Sequence, residues 1–217
     1  WPVSRNTLGF IIRELMRRNR LHDGLVYMQV TRGVARRDHA FPTTPVKPAL
    51  VLTTKNTKHI VADAGPGVAV KSQPDIRWGR CDIKTVALLP NVLAKQAARE
   101  SGAYEAWLVD SKGCVTEGAS TNAWIVTGEG ELVTRQTDSG ILAGITRLKL
   151  KSICDSLQLK LVERPFTLAE AKKAKEAFIT SATSFVTPVV KIDGDAVGDG
   201  KVGNTARRLR EEYVRFS

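Results

Sequence analysis

The spacing of apolar residues divides the first third of the chain into three short elements. Apolar side chains recur at helical spacing from a cap at Ser4 to a stop at 22–24, which predicts a helix. Strands are predicted at 25–30 and 49–54, with an arginine-rich loop between them. The small residues of 60–67 predict a linker between two domains.

Strand and helix patterns alternate after the linker. A strand is predicted at 68–72, and helices are predicted at 90–100, from 144 to about 157, after the capping box at Thr167, and at 204–215. Hairpins are predicted at 104–116, 123–134 and 186–197, each turning at glycine. The pattern therefore predicts an α+β chain with a small domain at 1–59, the linker at 60–67, and a larger strand-rich domain at 68–217.

Composition narrows the possible classes of protein. The chain is 42% hydrophobic, but no apolar run approaches the roughly 18 residues of a membrane helix, so no membrane association is expected. Three widely spaced cysteines without a CxxC pair argue against disulfides and zinc and fit a reducing, cytoplasmic compartment. The three histidines have no ligand spacing, and we expect no metal.

The net charge of +11 is compatible with an anionic partner. The basic residues are spread along the chain, and clusters such as 17–20 and 172–175 fall on predicted helices, which is typical of solvated faces. No interleaved aromatic stripe accompanies them, so we expect no nucleic-acid partner. An anionic cofactor and anionic substrates are compatible with the same charge.

Two segments contain candidate catalytic groups. Lys84 lies in the apolar run 83–89, which is expected to desolvate it, lower its pKa and supply a neutral amine. The alternative is an outward-pointing lysine on a strand edge. Glu117 lies among small polar residues at 116–122, where a carboxylate can hold the ring nitrogen of a pyridine cofactor. The alternative is a polar turn.

Three further segments contain candidate groups for binding anions. The predicted helix start at 144–147 offers backbone N–H groups and a hydroxyl to a phosphate, and the run 180–184 offers further donors. An ordinary helix start and a plain loop are the alternatives. Arginines and a histidine in the loop after the first strand suit a substrate carboxylate, with a solvated basic loop as the alternative.

Taken in order, these motifs resemble those of the fold-type IV pyridoxal-phosphate enzymes, and within them the D-amino acid aminotransferases. The motifs that carry the resemblance are Tyr-Met-Gln-Val-Thr-Arg-Gly at 27–33, Arg-Cys-Asp-Ile-Lys at 80–84, Thr-Glu-Gly at 116–118, Gly-Ile-Thr-Arg at 144–147 and Asp-Gly-Lys-Val-Gly at 199–203. The resemblance implies a two-domain fold, with a small α/β N-terminal domain and a larger strand-rich pseudo-barrel. It also implies a homodimer.

The resemblance also implies roles for individual residues. Lys84 would form the Schiff base with pyridoxal 5′-phosphate and move the proton between Cα and C4′, and Glu117 would pair with the pyridine nitrogen. The other implied cofactor contacts are Leu142 against the ring and Ile145, Thr146, Ser181 and Ala182 at the phosphate. The family usually has threonine at the position of Ala182, so one side-chain donor is missing here.

The implied substrate site consists of Tyr27, Arg37 and His39, which would bind the α-carboxylate. An Arg-x-His in this loop indicates D-amino acids, and the implied reaction is ping-pong transamination between a D-amino acid such as D-alanine and a 2-oxo acid such as 2-oxoglutarate. A branched-chain L-amino acid aminotransferase or an aminodeoxychorismate lyase of the same fold is the alternative. A basic nucleic-acid-binding module ranks last, because it explains the charge but none of the motifs.

Family members begin several dozen residues before the position that matches Trp1. That preceding stretch carries an arginine that clamps the phosphate and a tyrosine near the substrate carboxylate. We therefore expect the small domain of this chain to be incomplete, and cofactor binding to be weak if those residues are absent.

Overall fold

The computed structural model describes residues 1–57 and 64–215 and divides into two compact units, Trp1–Ile60 and Val61–Ser217. Part of the predicted linker 60–67 lies outside the described residues. The domain bounds given above therefore stay predictions.

The first unit begins with helix α1, Arg5–Arg18. Ser4 caps its N-terminus as predicted, but the helix ends before the expected stop at 22–24. Asn19 provides the physical reason, because its side-chain amide donates to the Leu15 carbonyl at 2.9 Å and terminates the last turn. Arg20 then takes a left-handed conformation with φ of 50°, which no helix continues.

Two antiparallel strands complete the first unit. Strand β1, Gly24–Thr31, pairs with β2, Ala49–Asn56, without interruption along their whole length. Both strands were predicted from apolar patterning, with bounds that extend by one or two residues. The loop 32–48 between them carries the candidate substrate-binding residues Arg37 and His39.

The second unit consists of one large sheet and four helices in the part that the structure describes. Its strands are β3 Val68–Pro74, β4 Glu105–Val109, β5 Val115–Gly118, β6 Asn122–Val126, β7 Leu132–Thr134, β8 Leu161–Glu163, β9 Glu176–Ser181, β10 Phe185–Ile192 and β11 Asp195–Ala196. Its helices are α2 Leu89–Glu100, α3 Ile145–Ser156, α4 Leu168–Lys172 and α5 Asn204–Arg215. The predicted strand, hairpins and helices after the linker are all present.

The strands of this sheet follow the order β5-β4-β3-β10-β9-β6-β7-β8, with β11 paired to β10. Strand β3 runs parallel to both of its neighbours, and β7 runs parallel to β8. The other pairs are antiparallel. The sheet therefore combines hairpins with pairings between segments that are far apart in the chain.

The sheet curls into a half-barrel. Strand β5 is first and β6 is sixth in the sheet order, yet they are consecutive in the chain. The tight turn 119–121 joins them, and the Gly118 N–H donates to the Thr121 carbonyl at 2.7 Å. The curl therefore brings Glu117 on β5 next to the first residue of β6.

Both faces of the sheet are covered by apolar side chains. Successive residues of a strand point to opposite faces. On β6, Ile125 packs with the residues of α4, whereas Trp124 packs under α3 and α5. Helix α2 lays its alanines against β4 in a third cluster. In the described ranges, no helix has the length and apolar character needed to cross a membrane.

Candidate functional site

The carboxyl group of Glu117 lies at the centre of a buried polar network. Its Oε2 accepts hydrogen bonds from Asn122 Nδ2 at 3.0 Å and from the Leu142 N–H at 3.1 Å. Its Oε1 pairs with the guanidinium of Arg77. Because donors from three different segments meet on one buried carboxyl, its position and orientation are fixed.

The ionisation of Glu117 is shifted by this environment. Burial raises the pKa of Glu117 to about 7, although the charge of Arg77 and the hydrogen bonds it accepts act to lower that pKa. Burial opposes the charge on Arg77, but hydrogen bonds and attraction from Asp75 and Glu117 raise the pKa of Arg77 above its ordinary value. A carboxyl that titrates near neutral pH can share a proton with a basic ring nitrogen.

Asp75 and Arg77 were not singled out by the sequence analysis. Arg77 donates to both oxygens of Asp75, at 2.9 and 2.8 Å, and to the Gly140 carbonyl at 3.0 Å. Burial opposes ionisation of Asp75, but hydrogen bonds from Arg77 and Thr116 lower its pKa below the ordinary value. The sequence did contain a signal for this pair, because Asp75 and Arg77 are opposite charges two residues apart directly after β3.

Lys84 is exposed in the loop between β3 and α2. Its predicted desolvation is wrong, because Ile83 and Val86 are themselves 42% and 68% exposed and do not cover it. The strand-edge alternative is also wrong, since this segment forms no strand. The Cys81 N–H donates to the Ser139 carbonyl at 2.8 Å, which attaches the Lys84 loop to the segment leading to Leu142.

The predicted anion-binding segment 144–147 lies at the start of helix α3. Gly144 is the N-terminal cap, and a Cβ built on it would lie 2.3 Å from Asn122 Oδ1, so the helix start approaches β6 closely. The first turn contains no acidic residue, and its N–H groups lack intrahelical partners. The Thr146 side chain is buried there, whereas that of Ile145 is 67% exposed.

The second predicted phosphate loop follows β9. Ser181 is the last residue of that strand, and its hydroxyl lies 2.7 Å from that of Ser184 and accepts the Ser184 N–H at 3.1 Å. Ala182 is exposed and offers only its backbone. In the sheet Thr180 lies opposite Asn122, whose Nδ2 also donates to the Leu142 carbonyl at 2.8 Å. Asn122 therefore links the neighbourhood of this loop to the segment before α3.

The remaining candidate residues belong to the first unit. Tyr27 lies on β1 and donates through its hydroxyl to Gln29 Oε1 at 3.0 Å. Arg37 and His39 are exposed in the loop after β1 and line a cavity of about 300 Å³. Arg32 lines it too, with its guanidinium carbon 4.2 Å from the ring centre of Phe41. The cavity is rich in guanidinium groups, which suit a carboxylate.

Comparison with known proteins identifies the family of the chain. Residues 1–192 match the family described as amino-transferase class IV. The D-alanine aminotransferases of Staphylococcus haemolyticus and Staphylococcus aureus (strain COL) are both 42% identical to this chain, over 207 and 205 residues. These matches cover 95% and 94% of this chain and 72% of each relative.

A solved structure shows the same fold. The branched-chain aminotransferase of the thermophilic archaeon Thermoproteus uzoniensis, solved with norvaline, matches with a TM-score of 0.82 and 25% identity, over 99% of this chain and 71% of that chain. The prediction of a fold-type IV architecture is thereby confirmed. On the extent of the family match and the identity to the curated relatives, the chain belongs to the class IV aminotransferases.

Proposed function

We propose that this chain transfers amino groups between D-amino acids and 2-oxo acids, using pyridoxal 5′-phosphate bound through Lys84. D-Alanine is the proposed donor and 2-oxoglutarate the proposed acceptor. The proposal draws on the 42% identity to enzymes named D-alanine aminotransferase, compared with 25% to the branched-chain enzyme of Thermoproteus uzoniensis.

The donor groups of the second unit fit the cofactor. Pyridoxal phosphate presents a basic ring nitrogen and a dianionic phosphate, which need a carboxyl partner and an anion site on the same side of the protein. The observation that carries the proposal is the buried carboxyl of Glu117, which the Leu142 N–H ties to the segment that opens helix α3. The absence of acidic residues in the first turn of α3 favours an anion at that end.

Lys84 and Glu117 are the proposed catalytic residues. When bound, the cofactor supplies an electron sink for the pair released as the Cα–H bond of the amino acid breaks. The Lys84 amine takes the Cα proton and returns a proton to C4′ of the cofactor. Glu117 pairs with the ring nitrogen, and the Asn122 amide, the Leu142 N–H and the Arg77 guanidinium fix its carboxyl for that contact.

The other predicted residues bind the cofactor and the substrate. Ile145 and Thr146 at the helix start hold the phosphate, with Ser181 and the backbone of Ala182 on the second loop, and the side chain of Leu142 packs against the ring. In the first unit, Tyr27, Arg37 and His39 bind the substrate α-carboxylate, and the Arg-x-His spacing selects the D-amino acid. The exposed guanidinium-rich cavity around Arg37 and His39 supports this assignment.

Two broader features belong to the same proposal. We propose a homodimer, which agrees with the exposed apolar side chains before and along α2. These side chains are Val86, Leu88, Leu89, Val92 and Leu93, which are 47–68% exposed. We also propose a cytoplasmic location, which agrees with three cysteines that form no disulfide within the described residues.

The test is an amino-transfer assay on the purified protein supplied with pyridoxal phosphate. D-Alanine with 2-oxoglutarate should give pyruvate and glutamate, and Lys84→Ala should abolish both this turnover and the visible absorbance of the bound cofactor. Lys112→Ala, on an exposed turn, is the matched control and should behave as wild type.

Other results would reassign the function. A preference for L-leucine as donor indicates the branched-chain enzyme, and pyruvate formed from aminodeoxychorismate without an amino acceptor indicates the lyase. Retained turnover in Lys84→Ala contradicts the proposal.

A further inference from the structure

Tyr213, on the closing helix α5, contacts one element proposed to bind the phosphate and the residue that directly follows the other. Its hydroxyl oxygen lies 3.3 Å from Oγ1 of Thr146 at the start of α3. Its ring centre lies 4.9 Å from that of Phe185, the first residue of β10 directly after the loop 181–184. One side chain thus joins two segments that are separated by more than thirty residues in the chain.

Phe185 needs such support because its backbone conformation is unusual. Its φ is 58°, in the left-handed region that a bulky side chain rarely adopts. Such a conformation persists only where the surroundings hold it. Arg210, also on α5, donates to the Ser184 and Val186 carbonyls, each at 2.7 Å, and lies 6.0 Å from the Phe185 ring. Helix α5 therefore fixes the exit of the 181–184 loop.

The contact between the Tyr213 and Thr146 hydroxyls bears on where the Thr146 hydrogen points. A threonine hydroxyl has one hydrogen to donate, and a phosphate oxygen only accepts. If the Tyr213 hydroxyl donates to Thr146 Oγ1, the Thr146 hydrogen is left to point at the phosphate. A hydrogen bond received by the donor oxygen also strengthens the bond that it donates.

We propose that Tyr213 is a positioning residue for the phosphate of the cofactor, orienting the Thr146 hydroxyl through its own hydroxyl and bracing the 181–184 loop through its ring. This inference rests on the proposed function. The Tyr213 hydroxyl would act on the phosphate of the cofactor and not on its ring or aldehyde. Pyridoxal, which lacks the phosphate but keeps the ring and aldehyde, should not depend on the Tyr213 hydroxyl.

The experiment measures dissociation constants of pyridoxal phosphate and of pyridoxal by titrating the visible absorbance, for the wild type and Tyr213→Phe. The variant removes one oxygen and keeps the ring. Affinity for pyridoxal phosphate should fall about fivefold, the equivalent of one net hydrogen bond, and affinity for pyridoxal should be unchanged. Tyr104→Phe, at a half-exposed ring directly before β4, is the matched control and should change neither constant.

A double-mutant cycle tests the pathway through Thr146. In a Thr146→Ala background, Tyr213→Phe should cause no further loss of affinity, because the hydroxyl on which it acts is gone. Unchanged affinity of Tyr213→Phe for pyridoxal phosphate, an equal loss for both compounds, or full additivity with Thr146→Ala would overturn the inference. Each of these leaves the proposed function standing, whereas a wild-type protein that binds neither compound contradicts the proposed function itself.

Discussion

Asn122, on the next strand along the chain, holds Glu117, with Nδ2 of the amide 3.0 Å from Oε2 of the carboxyl. The same nitrogen donates to the Leu142 carbonyl, and the amide oxygen faces Gly144 at the cap of α3. A single buried amide thus connects the carboxyl proposed for the ring nitrogen with the helix start proposed for the phosphate.

Replacing Asn122 with alanine should therefore affect both folding and cofactor binding. The variant leaves a buried carboxyl oxygen and the Leu142 carbonyl without this donor, which should lower the free energy of unfolding by about 1–3 kcal/mol. Affinity for pyridoxal phosphate should fall by roughly tenfold, the equivalent of about 1.4 kcal/mol, because the carboxyl and the helix start lose the amide that connects them. Urea unfolding and absorbance titration measure the two effects.

Asn19→Ala serves as the control, because that amide is exposed at the end of α1 and also donates to a carbonyl. It should leave cofactor affinity unchanged. An Asn122→Ala protein that matches the wild type in both measurements would show that the amide does not organise the site.

The raised pKa of Glu117 should make the free energy of unfolding depend on pH. Its pKa is raised by burial from 4.5 to about 7, so between these values the folded state binds more protons than the unfolded state. Its contribution to stability is therefore present below pH 4.5 and is lost as the pH rises towards and through 7. In cofactor-free protein, Glu117→Gln should remove this part of the decline, as measured by urea unfolding at pH 4.5 to 7.5.

Gln cannot ionise, so the difference in unfolding free energy between wild type and Glu117→Gln is the informative quantity. It should vary with pH across this window and become constant below it. A difference that is independent of pH throughout would mean that Glu117 ionises at its ordinary pKa in the folded protein.

Space rather than backbone conformation makes glycine necessary at position 144. Its φ and ψ of −62° and 141° suit any residue, but a Cβ would lie 2.3 Å from Asn122 Oδ1. Gly144→Ala should push Asn122 and the start of α3 apart, weakening pyridoxal phosphate binding by at least tenfold and destabilising the fold by about 1–3 kcal/mol. Titration of the cofactor and thermal unfolding provide the measurements.

Gly128→Ala is the matched substitution, since a Cβ there meets nothing within 4 Å and its φ is not in the left-handed region. It should leave both quantities near the wild-type values. Equal behaviour of the two alanine variants would remove the steric explanation.

Local patterning predicted most of the elements. Helix α5 occupies the predicted 204–215, because its amphipathic spacing is matched by burial of Ala206 and Leu209 under the sheet. The Thr167 cap is also present, accepting the Glu170 N–H at 3.0 Å, although the Glu170 carboxylate pairs with Arg164. Such features depend on neighbours in sequence, so the sequence contains enough information to predict them.

The polar network of the site depends on contacts that local patterning does not contain. Arg77 meets Glu117 forty residues later in the chain, and the pairing of β3 with β4 and of β4 with β5 brings them together. The predicted desolvation of Lys84 was wrong for the converse reason, because a local pattern was present but the packing was not. An apolar run desolvates a lysine only where its side chains pack over it, and those of Ile83 and Val86 point into solvent.

The position of β3 in the sheet also affects the order in which the protein can fold during synthesis. Its neighbours are β4, made soon after it, and β10, whose residues lie about 120 positions later, as in the pairing of Val70 with Ile192. At roughly 5–20 residues per second, a ribosome needs on the order of 6–24 s to supply that second neighbour. During this interval one edge of β3 stays unpaired and open to aggregation. The half-barrel, and with it the assembled site, can form only after nearly the whole chain has emerged.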